Sequence, residues 1–149
     1  MEKQYFEANT MLEIAAQHAY AAEYLLQRNA EVTFDDNTTI DALLPVTSLL
    51  HLSFELTLKA FLIHEHRPVR KHLKLIELIE LNEHLGLSRK DIELINMLSR
   101  VQAFRKGVDY VLWENREQLQ GFCEQALTLY SRLHDVIPVE LQREYQPIA

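Results

Sequence analysis

Leu49-Leu50-His51-Leu52-Ser53-Phe54-Glu55-Leu56-Thr57-Leu58-Lys59-Ala60-Phe61-Leu62 is the stretch on which the fold of this 149-residue chain turns. It lies within the most apolar region, Ala42 to Ile63, which is about long enough to span a bilayer. His51, Glu55 and Lys59 interrupt that region and would be costly in lipid, so it predicts a helix buried in protein instead. Its apolar residues lie nearly all round, as the central helix of a bundle requires. Pro45 suits the first turn, where its missing N–H would be unpaired anyway, and Asp41 is close enough to help cap it. Pro68 pushes its predecessor out of the helical region, so the helix is predicted to run to about His66.

Before this helix, Met11, Ile14, Ala15, His18, Ala22, Leu25 and Leu26 recur at steps of three and four, which predicts a first helix from Tyr5 to about Asn29. Glu31 to Asp41 is polar, and Asp35, Asp36, Asn37, Thr38 and Thr39 compete with a helical backbone, so it reads as a loop. After Pro68 a basic link leads into a third helix, His72 to about Leu85, closed by Gly86 as a left-handed cap. Ser88-Arg89-Lys90-Asp91 approximates a capping box for a fourth helix that ends near Gly107. Leu119, Phe122, Ala126, Tyr130 and Leu133 give a fifth, Asn115 to about His134, and residues 136–149, with Pro138 and Pro147, form a looser tail. No segment shows sustained period-two alternation and no repeat is present, so the fold class is all-α: one domain over 1–149, a five-helix bundle.

Composition bounds the rest. With 48% hydrophobic and 25% charged residues and only 3 Gly and 4 Pro, the balance is globular and favours long helices over turns. One core can bury roughly two-thirds of the unfolded surface at this length. Cys123 is the only cysteine, which excludes an intrachain disulfide and suits a reducing compartment. Met1 to Glu7 carries charges and no apolar signal block, so a cytoplasmic protein is expected. A net charge of −7 argues against broad nonspecific binding to nucleic acid and leaves room for a local basic patch.

Three groups of residues could carry function. His51, Glu55 and Lys59 follow at steps of four along one stripe of the central helix. The simpler reading is a half-buried ion pair beside an imidazole, and the functional one is the wall of a ligand groove or a dimer contact. Arg67, Arg70, Lys71 and Lys74 concentrate positive charge within eight positions around His72, and read either as a solvated loop and helix start or as a site for phosphate or an acidic partner. Arg100, Arg105, Lys106 and Tyr110 form a second basic group near the junction of helices four and five. His64, Glu65, His66 and His72 hold metal-binding atoms, but residues two apart on a helix point about 200° from each other, so no metal site is expected. Trp113, Phe104 and Tyr110 around Gly107 could stack a base, although aromatics at a helix junction more often close a core. No Gly-rich phosphate loop or nucleophile elbow is present, and no cofactor is implied.

Together these elements resemble the HEPN family of small, mainly prokaryotic helical domains. The resemblance rests on Leu49 to Leu62, similar to the family's apolar second helix with its acid and lysine, and on Pro68-Val69-Arg70-Lys71-His72-Leu73 with Leu75 and Leu78, similar to the His-containing turn that opens its third helix. It implies an up-and-down helical core, a homodimer, and links to nucleotidyltransferase partners, RNA cleavage and cell defence, including toxin–antitoxin systems. An excess of apolar positions on helices two and five points to the same dimer. Active members cleave RNA with an Arg-x4-6-His pair near the last helices. After Arg105 the matching positions hold Tyr110, Val111 and Leu112, none of which replaces imidazole as a base at neutral pH. Arg67 and His72 satisfy the spacing but lie in the link, where the match is accidental.

The sequence therefore favours a non-catalytic HEPN-like binding or regulatory module. Its expected binding residues are Arg100, Arg105, Tyr110, His51, Glu55, Lys59, Arg70, Lys71 and His72. The expected partners are a second copy and, as the resemblance implies, a protein such as a nucleotidyltransferase, with RNA or nucleotide less strongly indicated and no membrane. The alternatives are a HEPN-type ribonuclease with an unusual site and a helical dimeric scaffold.

Overall fold

Alanines decide how the first two helices meet. The computed structural model describes residues 2–67, 69, 74–103 and 116–137, and the side chains of 8–67, 69, 74–100 and 116–137. The first helix, α1 (Glu2–Gln27), buries Ala8, Leu12, Ala15, Ala16, Ala19, Ala22 and Leu26. Met11, Ile14, His18 and Leu25, expected on the core face, sit half-buried at its flanks. Small side chains let α1 approach the second helix, α2 (Leu43–His64), so closely that the Ser53 hydroxyl lies 3.0 Å from the Ala15 carbonyl. Ala8, Leu12 and Ala16 near the start of α1 pack on Ala60 and Phe61 near the end of α2, so the two helices run antiparallel.

The polar segment between them is a correction to the sequence reading. It forms an antiparallel hairpin, β1 (Glu31–Thr33) with β2 (Thr39–Asp41), pairing Glu31 with Asp41, Val32 with Ile40 and Thr33 with Thr39. Three-residue strands are too short to show a periodicity, but their β-branched Val32, Thr33, Thr39 and Ile40 are strand formers. The tip is closed by Phe34 N–H donating to Thr38 O at 2.8 Å, Asn37 in the left-handed region (φ 67°) and Asp36 Oδ1 accepting from Thr38 N–H at 3.0 Å.

Both long helices end by the same device. At α1, Asn29 turns left-handed (φ 57°), and the Ala30 and Asn29 N–H groups donate to Leu25 O and Leu26 O. At α2, His66 turns left-handed (φ 59°), and Arg67 and His66 donate to Leu62 O and Ile63 O. These Schellman-type bonds satisfy the last carbonyls. The helix thus stops at His64, before Pro68 could act.

The third helix is shorter than expected. Lys74 is extended (ψ 157°), so α3 spans Leu75–Leu81, and a 3₁₀ turn at Glu83–Leu85 follows. Asn82 breaks the two apart, its buried amide donating to Leu58 O at 3.3 Å and Leu78 O at 2.8 Å. Gly86 takes the expected left-handed cap (φ 69°). The capping box of α4 (Arg89–Ala103) is also formed: Ser88 N–H donates to Asp91 Oδ2 at 3.2 Å, and Asp91 N–H to Ser88 Oγ at 3.1 Å.

The last described helix, α5 (Arg116–His134), runs antiparallel to α1. Arg116 at its start reaches Asn29 and Ala30 past the end of α1, while Ile137 beyond its end packs on Ala8 and Leu12. Phe54 of α2, fully buried, meets Tyr130 of α5 edge-on at 6.0 Å between ring centres; burying one such side chain contributes about 2–3 kcal/mol. The chain is mostly helical, with a small two-stranded sheet. Leu43–His64 is long and apolar enough to cross a bilayer, but over half of its most apolar window is buried inside the protein.

Candidate functional site

The polar stripe of α2 is in place. Lys59 Nζ lies 3.2 Å from Glu55 Oε1, both side chains mostly covered, and His51 sits half-buried one turn earlier. Four-residue spacing on a helix accounts for this pair. Arg100 is exposed in the last turn of α4. Arg105, Tyr110, Arg70, Lys71 and His72 lie outside the described residues. Of the expected binding residues, the described structure pairs Glu55 with Lys59.

At the end of α2, Glu65 Oε1 meets His84 Nε2 of the 3₁₀ turn at 2.8 Å, and the Arg67 guanidinium donates to the Leu81 carbonyl. These contacts tie the α2 terminus to α3. Among the described residues, no group of three or more His, Cys, Asp or Glu side chains is placed to hold a metal ion.

A recess that the sequence did not single out opens between α1 and α5. Ala19, Tyr20 and Glu23 line one side, and Leu127, Tyr130, Ser131 and His134 the other, around a volume of about 150 Å³. A space of that order holds one aromatic ring. Its floor is apolar, and Tyr130 rests on Phe54 below and against His134 at 5.3 Å. Its rim is polar: Tyr20 is half exposed, Glu23 is partly exposed, and Ser131 Oγ donates to Leu127 O at 3.2 Å. The serine proton is thus committed to the helix backbone, not to an imidazole. Burial holds the His134 pKa below its ordinary value, with Asp135 opposing, so the imidazole is neutral near pH 7.

One turn along α1 from Tyr20, Tyr24 is exposed, with the Arg28 guanidinium stacked on its ring at 3.5 Å. Tyr20 and Glu23 lie three apart on α1, and Tyr130 and His134 four apart on α5, so each pair shares a face. That spacing was the available signal. It could not show that the two faces meet, and Tyr130 read simply as part of an apolar stripe.

Two ion pairs fix the surrounding frame. Arg116 holds Asp41 at 2.9 and 3.2 Å and donates to the Asn29 carbonyl at 2.5 Å. The bond from Arg116 is the main reason the Asp41 pKa is lowered, and Asp41 in turn raises that of Arg116. Arg132 holds Asp91 at 2.6 Å, joining α5 to the capping box of α4. Burial alone would raise the Asp91 pKa, but hydrogen bonds with Arg132 and Ser88 outweigh it and the net shift is downward. Cys123 is buried in the core, and burial pushes its thiol up to about 12.

Comparison with protein-family models, with curated proteins and with solved structures finds no match for the chain.

Proposed function

We propose that this chain is a non-catalytic binding or regulatory module, built on an up-and-down helical bundle of HEPN type and acting as a homodimer on a protein partner. The observation that carries this reading is the recess between α1 and α5. It gathers a carboxylate, an imidazole and two phenols around an open volume, while the Ser131 hydroxyl gives its proton to a backbone carbonyl. Such a site is built to hold a group, not to activate a nucleophile.

The formed Glu55–Lys59 pair on α2 agrees with the stretch that resembles the HEPN second helix. The lone cysteine suits a reducing compartment such as the cytoplasm, and the resemblance suggests a prokaryotic one. A nucleotidyltransferase within a defence or toxin–antitoxin system is the partner that the resemblance suggests, and the basic residues Arg100 and Arg105, with Tyr110, supply a second surface for it.

The test has two arms. The purified protein, about two chains in mass by light scattering, is expected to leave single-stranded RNA intact in metal-free buffer and to form a complex with a protein encoded beside its gene. RNA cleavage that disappears in both Arg105→Ala and Tyr110→Phe would show a ribonuclease instead. A monomer that forms no complex with any neighbouring gene product would also overturn the reading.

A further inference from the structure

We propose that the recess between α1 and α5 is a receptor for an arginine side chain presented by a basic segment of the partner, an inference that rests on the reading of the chain as a protein-binding module. The formal charge at the recess is negative. Glu23 is in its wall and Asp135 stands next to His134, whose half-buried imidazole is neutral near pH 7. The arginines closest in sequence to these residues are engaged elsewhere, Arg132 on Asp91 at 2.6 Å and Arg28 on the Tyr24 ring at 3.5 Å. An anion would meet Glu23 unshielded, and a nucleotide would bring phosphate to a protein of net charge −7. A purely apolar occupant would desolvate Glu23 without giving it a partner.

A guanidinium meets each demand. It is planar and can lie on a phenol ring, and its N–H groups can pair with a carboxylate while the methylenes cover the floor made by Ala19 and Leu127. The protein already makes this contact one turn away on the same helix, where Arg28 stacks on Tyr24. The flanking exposed Tyr20 and Tyr24 give an incoming segment further aromatic surface, the residue type that anchors interfaces.

The experiment titrates the full chain with a short peptide carrying one arginine and with the same peptide carrying citrulline, following backbone amide shifts. The arginine peptide should move the amides of residues 19–23 and 127–134 in a saturable way. Citrulline, and the Glu23→Gln and Tyr20→Ala variants, should each bind about fivefold more weakly or worse. Glu13→Gln, on an exposed turn of α1 away from the recess, should bind like the parent. Equal binding of the citrulline peptide, shifts confined to other helices, or the same shifts produced by a single-stranded oligonucleotide would overturn the proposal. Glu23→Gln is also to be measured against the intact partner. A complex of unchanged affinity would sink the arginine receptor while leaving the binding module standing, whereas absence of any complex would count against the module itself.

Discussion

The guanidinium of Arg116, the first residue of α5, grips the carboxylate of Asp41, seventy-five positions earlier at the end of β2, through contacts of 2.9 and 3.2 Å. The same guanidinium donates to the Asn29 carbonyl at the end of α1. One side chain therefore pins the hairpin, the first helix and the last described helix at one end of the fold. Both partners are more than a third exposed, so solvent screening limits their ion pair to about 0.5–1 kcal/mol. Arg116→Ala should cost somewhat more, about 1–2 kcal/mol in urea unfolding, because two carbonyls also lose a charged donor. Asp41→Asn should recover most of the parent stability. Because the folded pKa of Asp41 is lowered, its contribution is present above the unfolded value of 3.8 and fades as pH falls through the folded one. Acid titration of the unfolding free energy in parent and Asp41→Asn checks the sign.

Asp91 serves the cap of α4 and Arg132 of α5 together, and its side chain is nearly covered. Asp91→Ala is expected to cost about 1–2 kcal/mol, the range of a lost N-cap interaction. Ser88→Ala should cost about half as much. Arg132, more than half exposed, should matter least. Three single variants compared by thermal unfolding give this order, and an equal loss for Arg132→Ala would mean that the ion pair, not the cap, dominates.

Cys123 offers a probe of global opening. Its thiol is buried, and with a pKa near 12 almost none of it is thiolate at pH 8. Modification by a thiol reagent should be slow in buffer and fast above the urea midpoint. Rapid labelling of the native protein would show that α5 opens locally.

His134 should make the protein less stable on mild acidification. Its folded pKa lies below the ordinary 6.5, so between the two values the unfolded chain binds more protons than the folded one. Stability is highest while the imidazole is neutral in both states, above about pH 7, and falls as pH drops through 6.5 towards the folded pKa. His134→Gln should flatten that part of the profile. An unchanged slope between pH 7 and 5 would assign it to other groups.

What the sequence determined by itself was everything that depends on near neighbours. The apolar run around Phe54 specified the buried α2, Gly86 its left-handed cap, Ser88 and Asp91 their reciprocal bonds, and Glu55 and Lys59 their pairing at one helical turn. Each follows from a period of 3.6 residues or from a side chain reaching its own backbone. Tertiary structure decided the rest. The hairpin was illegible because three-residue strands carry no pattern, and it is held by Arg116 from the far end of the chain. The stop of α2 at His64, with His66 turned left-handed, was settled by hydrogen bonding of the last turn before Pro68 was reached. The recess arose only when the Tyr20–Glu23 face of α1 was laid against the Tyr130–His134 face of α5, because two helix faces more than a hundred residues apart become one surface only through the packing of the core beneath them.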